Sequence, residues 1–161
     1  MIVVSDASPL IALAAVGQLD LLHDLYGEVL VPEAVQNEVT LVRPAAPGAA
    51  AVSLAGWIRV LPVQNLALVA AMSVELDPGE AEAIALAVEE GADLLLIDER
   101  RGRIAASRLN QRVVGVLGIL VEAKQRNLIS LVRPVLDALA SQTGFRVSQA
   151  LRDRILLVAG E

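Results

Sequence analysis

The segment Leu94-Leu95-Leu96-Ile97-Asp98-Glu99-Arg100-Arg101-Gly102-Arg103, LLLIDERRGR, runs from four apolar residues straight into two carboxylates and three arginines. A short continuous apolar run without polar alternation reads as a strand buried on both faces, as strands of parallel sheets are. The charges after it admit two readings. They are a surface salt-bridge cluster, or they belong to an active site at the strand's carboxyl end.

Outward from this segment, short runs of the same kind recur. Candidate strands are Ile2–Ser5, Glu28–Val31, Ile58–Val63, Leu94–Ile97 and Arg112–Val114. Helical patterns lie between them at Pro9–Val16, Leu19–Leu25, Pro32–Val42, Pro47–Ala55, Leu66–Met72, Pro78–Glu90 and Arg100–Leu109. Three more follow the last strand, at Leu117–Arg126, Val132–Ala140 and Ser148–Val158. Apolar strands alternating with helices predict a parallel sheet covered on both faces. The stretch RPAAPGAAA (Arg43–Ala51) reads as a loop entering a helix. The expectation is one α/β domain over residues 1–161, with a C-terminal helical part, residues 117–161, packed on it.

Composition narrows the chemistry. The 161 residues contain no cysteine and one histidine, His23, which excludes thiol catalysis and zinc–thiolate sites and argues against a histidine cage. Catalysis would fall to carboxylates. A net charge of −6 argues against a broadly basic surface but permits a local basic patch. Of thirteen basic residues only Lys124 is a lysine. The apolar N-terminus lacks a basic leader and carries Asp6. The longest apolar run, Val113–Val121, is far short of the roughly 18 residues of a membrane span. A soluble, cytoplasmic protein without membrane partners is expected.

In open parallel sheets the working crevice lies beyond the strands' carboxyl ends. Four carboxylates meet that condition, and each has a purely structural alternative. Asp6 closes the first strand and precedes Ser8-Pro9, so it also suits a strand-to-helix turn. Glu38 flanks the apolar stripe of Val35, Val39 and Val42, or reaches solvent past it. Glu80, in LDPGEAEAIALA, completes a capping box with Asp77 yet flanks the stripe Ala81, Ile84, Ala85 and Val88; Glu82, Glu89 and Glu90 point further towards solvent. Asp98 ends the fourth strand, whereas Asp93 lies at its other end. Packed carboxylates raise one another's pKa, and a divalent cation relieves that penalty. Oxygen donors without Cys or His select Mg²⁺ or Mn²⁺, which activate water in phosphodiester cleavage.

The ordered set of Asp6 in VVSDASPLIAL, Glu38 in VPEAVQNEV, Glu80 in GEAEAIALA and Asp98 in GADLLLIDERRGR resembles the PIN-domain ribonucleases, close to the VapC-type toxins of toxin–antitoxin pairs. The likeness extends through GVLGILVEAKQRNLI and GFRVSQALRDRILLVAGE. It implies a three-layer α/β/α sandwich around a five-stranded parallel sheet of order 3-2-1-4-5, which brings Asp6 and Asp98 together. It also implies Mg²⁺- or Mn²⁺-dependent cleavage of single-stranded RNA, a homodimer and a cognate antitoxin. Asp6, Glu38, Glu80 and Asp98 would be the metal-binding and catalytic acids, with Ser8 and Glu99 supporting them. The chain departs from the pattern in two places. Glu80 stands where many toxins have Asp, and Leu96 where a threonine usually precedes the fourth acid.

Arg100, Arg101 and Arg103 start the helix after Asp98, where cations oppose the helix dipole. They would hold RNA phosphates, or simply pair with Glu99 at the surface. No aromatic is expected nearby for base stacking, so sequence-specific reading of single strands is not expected there, and Tyr26, Trp57 and Phe145 read as packing residues, as does a partly buried His23. The rival classes are a PIN-like module that binds RNA or protein without cutting, and a phosphoacceptor receiver domain. The latter needs a strand-end lysine, and Lys124 falls late, on a helix.

Overall fold

The computed structural model describes residues 1–42, 44–46 and 48–161, and of Val42 the backbone alone. The expected helix start at Pro47, the Arg43 end of the loop and the place of Val42 in its stripe lie outside these residues.

Five parallel strands form one sheet: β1 (Val3–Ser5), β2 (Val29–Pro32), β3 (Ile58–Leu61), β4 (Leu94–Leu96) and β5 (Val113–Val114), in the order β3-β2-β1-β4-β5. The α/β/α architecture and strand order are those expected. The register pairs Ser5 with Leu96 and Leu96 with Val114, so β1, β4 and β5 finish side by side. Val3, Val4, Leu95, Leu96 and Ile97 are all buried. Fully burying each such side chain stabilises the fold by about 1.5–3 kcal/mol, which is how a chain almost without aromatics builds its core.

The helices are α1 (Ala7–Ala15), α2 (Asp20–Tyr26), α3 (Glu33–Asn37), α4 (Ala49–Leu54), α5 (Leu66–Met72), α6 (Pro78–Glu89), α7 (Arg100–Arg108), α8 (Val116–Gln125), α9 (Arg133–Gln142) and α10 (Gln149–Val158). They cover both sides of the sheet. α6 packs across β1, β2 and β4 with α3, α5 and α7 around it, while α1 meets α4, α8 and α9. The helix expected over Pro32–Val42 is not uniform. It is α3 followed by a wider π-helical turn, Glu38–Val42, that begins at one of the candidate acids. Such turns re-aim side chains and often mark functional positions.

Two carboxylates expected at the solvent face tie elements together instead. Glu82 accepts from the Ala34 amide at 3.3 Å, fixing α3 to α6, and Glu89 accepts from the amides of Gln64 and Asn65 ahead of α5. Both are half-buried. α10 is tied down by Arg152 to Asp137, 2.5 Å, and by Glu161, whose carboxylate accepts from Val132 and Arg133 amides and pairs with Lys124 at 3.0 Å. Among the described residues of α10 only Leu156 is buried. His23 is exposed rather than partly buried. Its ring stacks on Trp57 with centroids 5.4 Å apart, so its packing is one-sided.

Candidate active site

The carboxyl ends of β1 and β4 deliver the first and fourth acids. Asp6 follows β1 directly, at the N-cap position of α1, and its backbone amide donates to Leu96 O at 2.9 Å. Its side chain makes no bond to the later amides of α1's first turn among the described residues, so the carboxylate is not spent on the cap. Asp6 is buried, and its pKa is pushed up to about 7. Burial is the main cause. The charges of Asp77, Glu80 and Glu38 add to it, and the Ala7 amide opposes it.

Glu38 and Glu80 approach from the other side of β1. The bare Cα of Gly79 makes room for them: a Cβ there would lie 3.0 Å from Glu38 Oε2 and 3.5 Å from Asp6 Oδ1. Acids one and two therefore face one slot. Glu80 carries both roles suggested by its sequence. Its Oε2 accepts from the Asp77 amide at 3.2 Å while Asp77 Oδ1 accepts from the Glu80 amide at 2.8 Å, a complete capping box. Its Oε1 lies 3.4 Å from where a Cβ on Gly102 of α7 would sit, so the same carboxylate spans α6 and α7. Burial raises the Glu80 pKa, the Asp77 amide opposes that, and the charges of Asp77, Glu99 and Glu38 add to it.

Asp98 stands two residues beyond β4 and turns towards α8. The Val116 amide donates to its Oδ1 at 2.9 Å, while Oδ2 is buried with no hydrogen-bond partner among the described residues. Burial raises its pKa, the Val116 amide and Arg103 pull it down, and Glu99 pushes it up. The adjacency of β1 and β4 thus brings the two aspartates to one end of the sheet. The charges felt by Asp98, however, are those of Arg103 and Glu99 rather than Asp6. Glu99 is exposed at the N-cap position of α7, and its charge reaches both Glu80 and Asp98. Among the described residues no three Asp, Glu or His side chains stand close enough, as they lie, to hold one ion.

A cleft of about 1380 Å³ opens beside these acids. Ser8, Glu38, Asp98 and Glu99 line its acidic end. Arg100, Arg103 and Arg108 line the α7 wall, whereas Arg101 is exposed and stands apart from the described lining. The segment Thr143–Val147 lines it as well, with Leu151 and Ile155 of α10. That segment contributes Phe145, expected only as a packing residue and in fact packed against the core as well as lining the cleft, and Arg146, which was not expected at a site. Their distance along the chain hid them. The expectation that no aromatic stands near the arginines is thereby corrected, because the C-terminal segment folds back to place Phe145 on the cleft. The only sequence signal was the odd company of an aromatic and an arginine in GFRVS, between two helices.

The chain matches the family described as PIN domain over residues 2–161. Comparison with curated proteins gives no match.

Proposed function

The chain belongs to the PIN-domain family, whose fold is of nuclease type, and on that premise we propose that it is a Mg²⁺- or Mn²⁺-dependent ribonuclease cleaving single-stranded RNA, acting as the toxin of a toxin–antitoxin pair. The observation that carries the reading is electrostatic. Asp6, Glu38 and Glu80 repel one another, Glu99 links Glu80 to Asp98 at the end of β4, and burial above all holds the pKa values of Asp6, Glu80 and Asp98 up. Such a set costs free energy in the absence of a cation, so it supports a metal-binding reading rather than a stabilising one.

The donor set fits a hard divalent cation in kind. It is all oxygen, Asp98 Oδ2 is buried and uncommitted, and Gly79 leaves a slot between Glu38 and Asp6. Asp6, Glu38, Glu80 and Asp98 would hold the ion. When bound, Mg²⁺ or Mn²⁺ supplies an activated water and stabilises charge developing on the phosphodiester. The protein's own contribution is positional. Arg100, Arg103 and Arg108 line the same cleft as Arg146 and would grip phosphates, where the guanidinium fork binds two oxygens at once. Phe145 offers a face on which a base can stack. Ser8, at the acidic end, is placed to hold a carboxylate or a water.

The toxin role and the cognate antitoxin rest on the resemblance of the quoted segments to VapC-type proteins. The homodimer rests on the same resemblance, and on α5, seven apolar residues of which none described is buried. The second reading, a PIN-like module that binds without cutting, is favoured by one observation: no three described acids converge on a single point. An RNA cleavage assay with Mn²⁺, with and without EDTA, on wild type and Asp98→Asn separates the two. Cleavage that needs the metal and is lost in the variant is expected. Cleavage that survives both EDTA and the substitution overturns the ribonuclease site, and absence of cleavage by wild type selects the binding module.

A further inference from the structure

The motif Gly115-Val116-Leu117-Gly118 sits where β5 turns into α8, and none of its side chains belongs to the acidic set. Its backbone, though, holds Asp98. The Val116 amide supplies the one hydrogen bond that the described residues give this carboxylate, 2.9 Å to Oδ1. Arg103 reaches the same place, with Nη1 3.5 Å from Ile97 O. Residue 115 stands against both. A Cβ built on Gly115 would lie 2.5 Å from Asp98 Oδ1 and 2.8 Å from Arg103 Nη1. These distances are well inside the separation at which non-bonded heavy atoms attract, about 3.5–4.0 Å for carbons.

Backbone freedom is not why a glycine stands there. Gly115 has φ −100° and ψ −179°, an extended conformation that any residue adopts. Only the missing side chain matters. Arg103 ends in a long flexible arm and can swing aside. Asp98 has two torsions and is fastened to an amide, so an intruding methyl group breaks that bond or shifts the carboxylate.

We infer that Gly115 is a positioning residue for Asp98: with the Val116 amide it pins one carboxylate oxygen and leaves the other uncommitted. The consequence for cleavage rests on the proposed ribonuclease reading; the orientation of Asp98 does not.

A double-mutant cycle tests it with Gly115→Ala, Asp98→Ala and the pair. Gly115→Ala lowers the thermal midpoint of wild type by about 5 °C. In the Asp98→Ala background, where its collision partner is gone, it lowers it by about 1 °C or less. Equal losses in both backgrounds overturn the inference. Should Gly115→Ala alone fail to fold, recovery of folding in the double variant supports it and failure of both overturns it. The Val116 amide gives a direct spectroscopic readout. Beyond the displacement that alanine for a preceding glycine brings to any amide, its NMR shift moves in Gly115→Ala as it does in Asp98→Ala, and a resonance displaced by that neighbour effect alone overturns the assignment. Under the ribonuclease reading, Gly115→Ala also reduces Mn²⁺-dependent cleavage by about 10- to 100-fold, the scale of outer-shell losses, with RNA affinity of the uncut complex unchanged. If wild type cuts no RNA, that reading fails while the thermal cycle and the amide shift still decide the role of Gly115.

Discussion

The Asp6 backbone amide donates to the carbonyl of Leu96 at 2.9 Å, so the first acid hangs from the strand that ends two residues before the fourth. Main-chain bonds, not side chains, fix the two aspartates at one end of the sheet. Asp6→Asn and Asp98→Asn should therefore abolish cleavage without disturbing the fold. Removing a buried charge at Asp6 should raise stability above pH 7 by about 1 kcal/mol or more. Cleavage assays and chemical denaturation check both halves, and metal-dependent cleavage retained in the two variants would remove these residues from the proposed site.

Stability should fall as pH rises from about 4 to about 7 in the absence of metal. Asp6 titrates at about 7 in the fold against an ordinary 3.8, mainly because it is buried. The native state therefore binds the extra proton across that window, and each pH unit through it favours unfolding by about 1.4 kcal/mol at most. Glu80 and Asp98 shift in the same direction. Mn²⁺ should restore what is lost, so its effect on the thermal midpoint grows from pH 5 to pH 8. A metal effect of equal size at both ends contradicts this account.

Glu80 allows its two roles to be separated. Glu80→Gln keeps an N3 side chain able to accept from the Asp77 amide, so stability should change by about 0.5 kcal/mol or less while cleavage is lost. Glu80→Ala removes half the capping box and should cost about 1 kcal/mol as well. If the two variants match in stability, the bond to Asp77 contributes nothing to α6.

RNA binding, measured on uncut substrate with Asp98→Asn, should follow the cleft. Arg108→Ala or Arg146→Ala should weaken it and reduce the slope of log affinity against log salt by about 1 each. Arg101→Ala should leave both nearly unchanged, since Arg101 stands apart from the lining. Uniform effects from all three would mean that binding follows net charge rather than this cleft.

Much of the scaffold was legible because the sheet is built from uninterrupted apolar runs. Leu94–Leu96 could hardly be anything but a central strand, and, apart from α3, which gives way to the π-helical turn five residues before the expected end, the helices begin and end within two residues of the expected positions where both can be compared. Asp6, Glu38, Glu80 and Asp98 could be singled out because strand ends and helix faces are local properties. In the structure Asp6, Glu38 and Glu80 feel one another's charge without converging on one point, while Asp98 bends towards α8. The rest was hidden for physical reasons. A π-helical turn at Glu38 leaves no composition signature. The accommodation of Asp98 by Gly115 depends on an approach between residues of different strands, and the Thr143–Val147 wall depends on how the C-terminal helices fold back.

Both helices that flank the cleft are held lightly. α7 buries only Gly102, against Ile97, and Ala106, and the segment Thr143–Val147 leads into a helix anchored by Leu156, an ion pair and the Glu161 carboxylate. Elements with so little burial open at lower free energy than the sheet beside them. Hydrogen exchange should therefore find the amides of α7 and α10 less protected than those of β1 and β4.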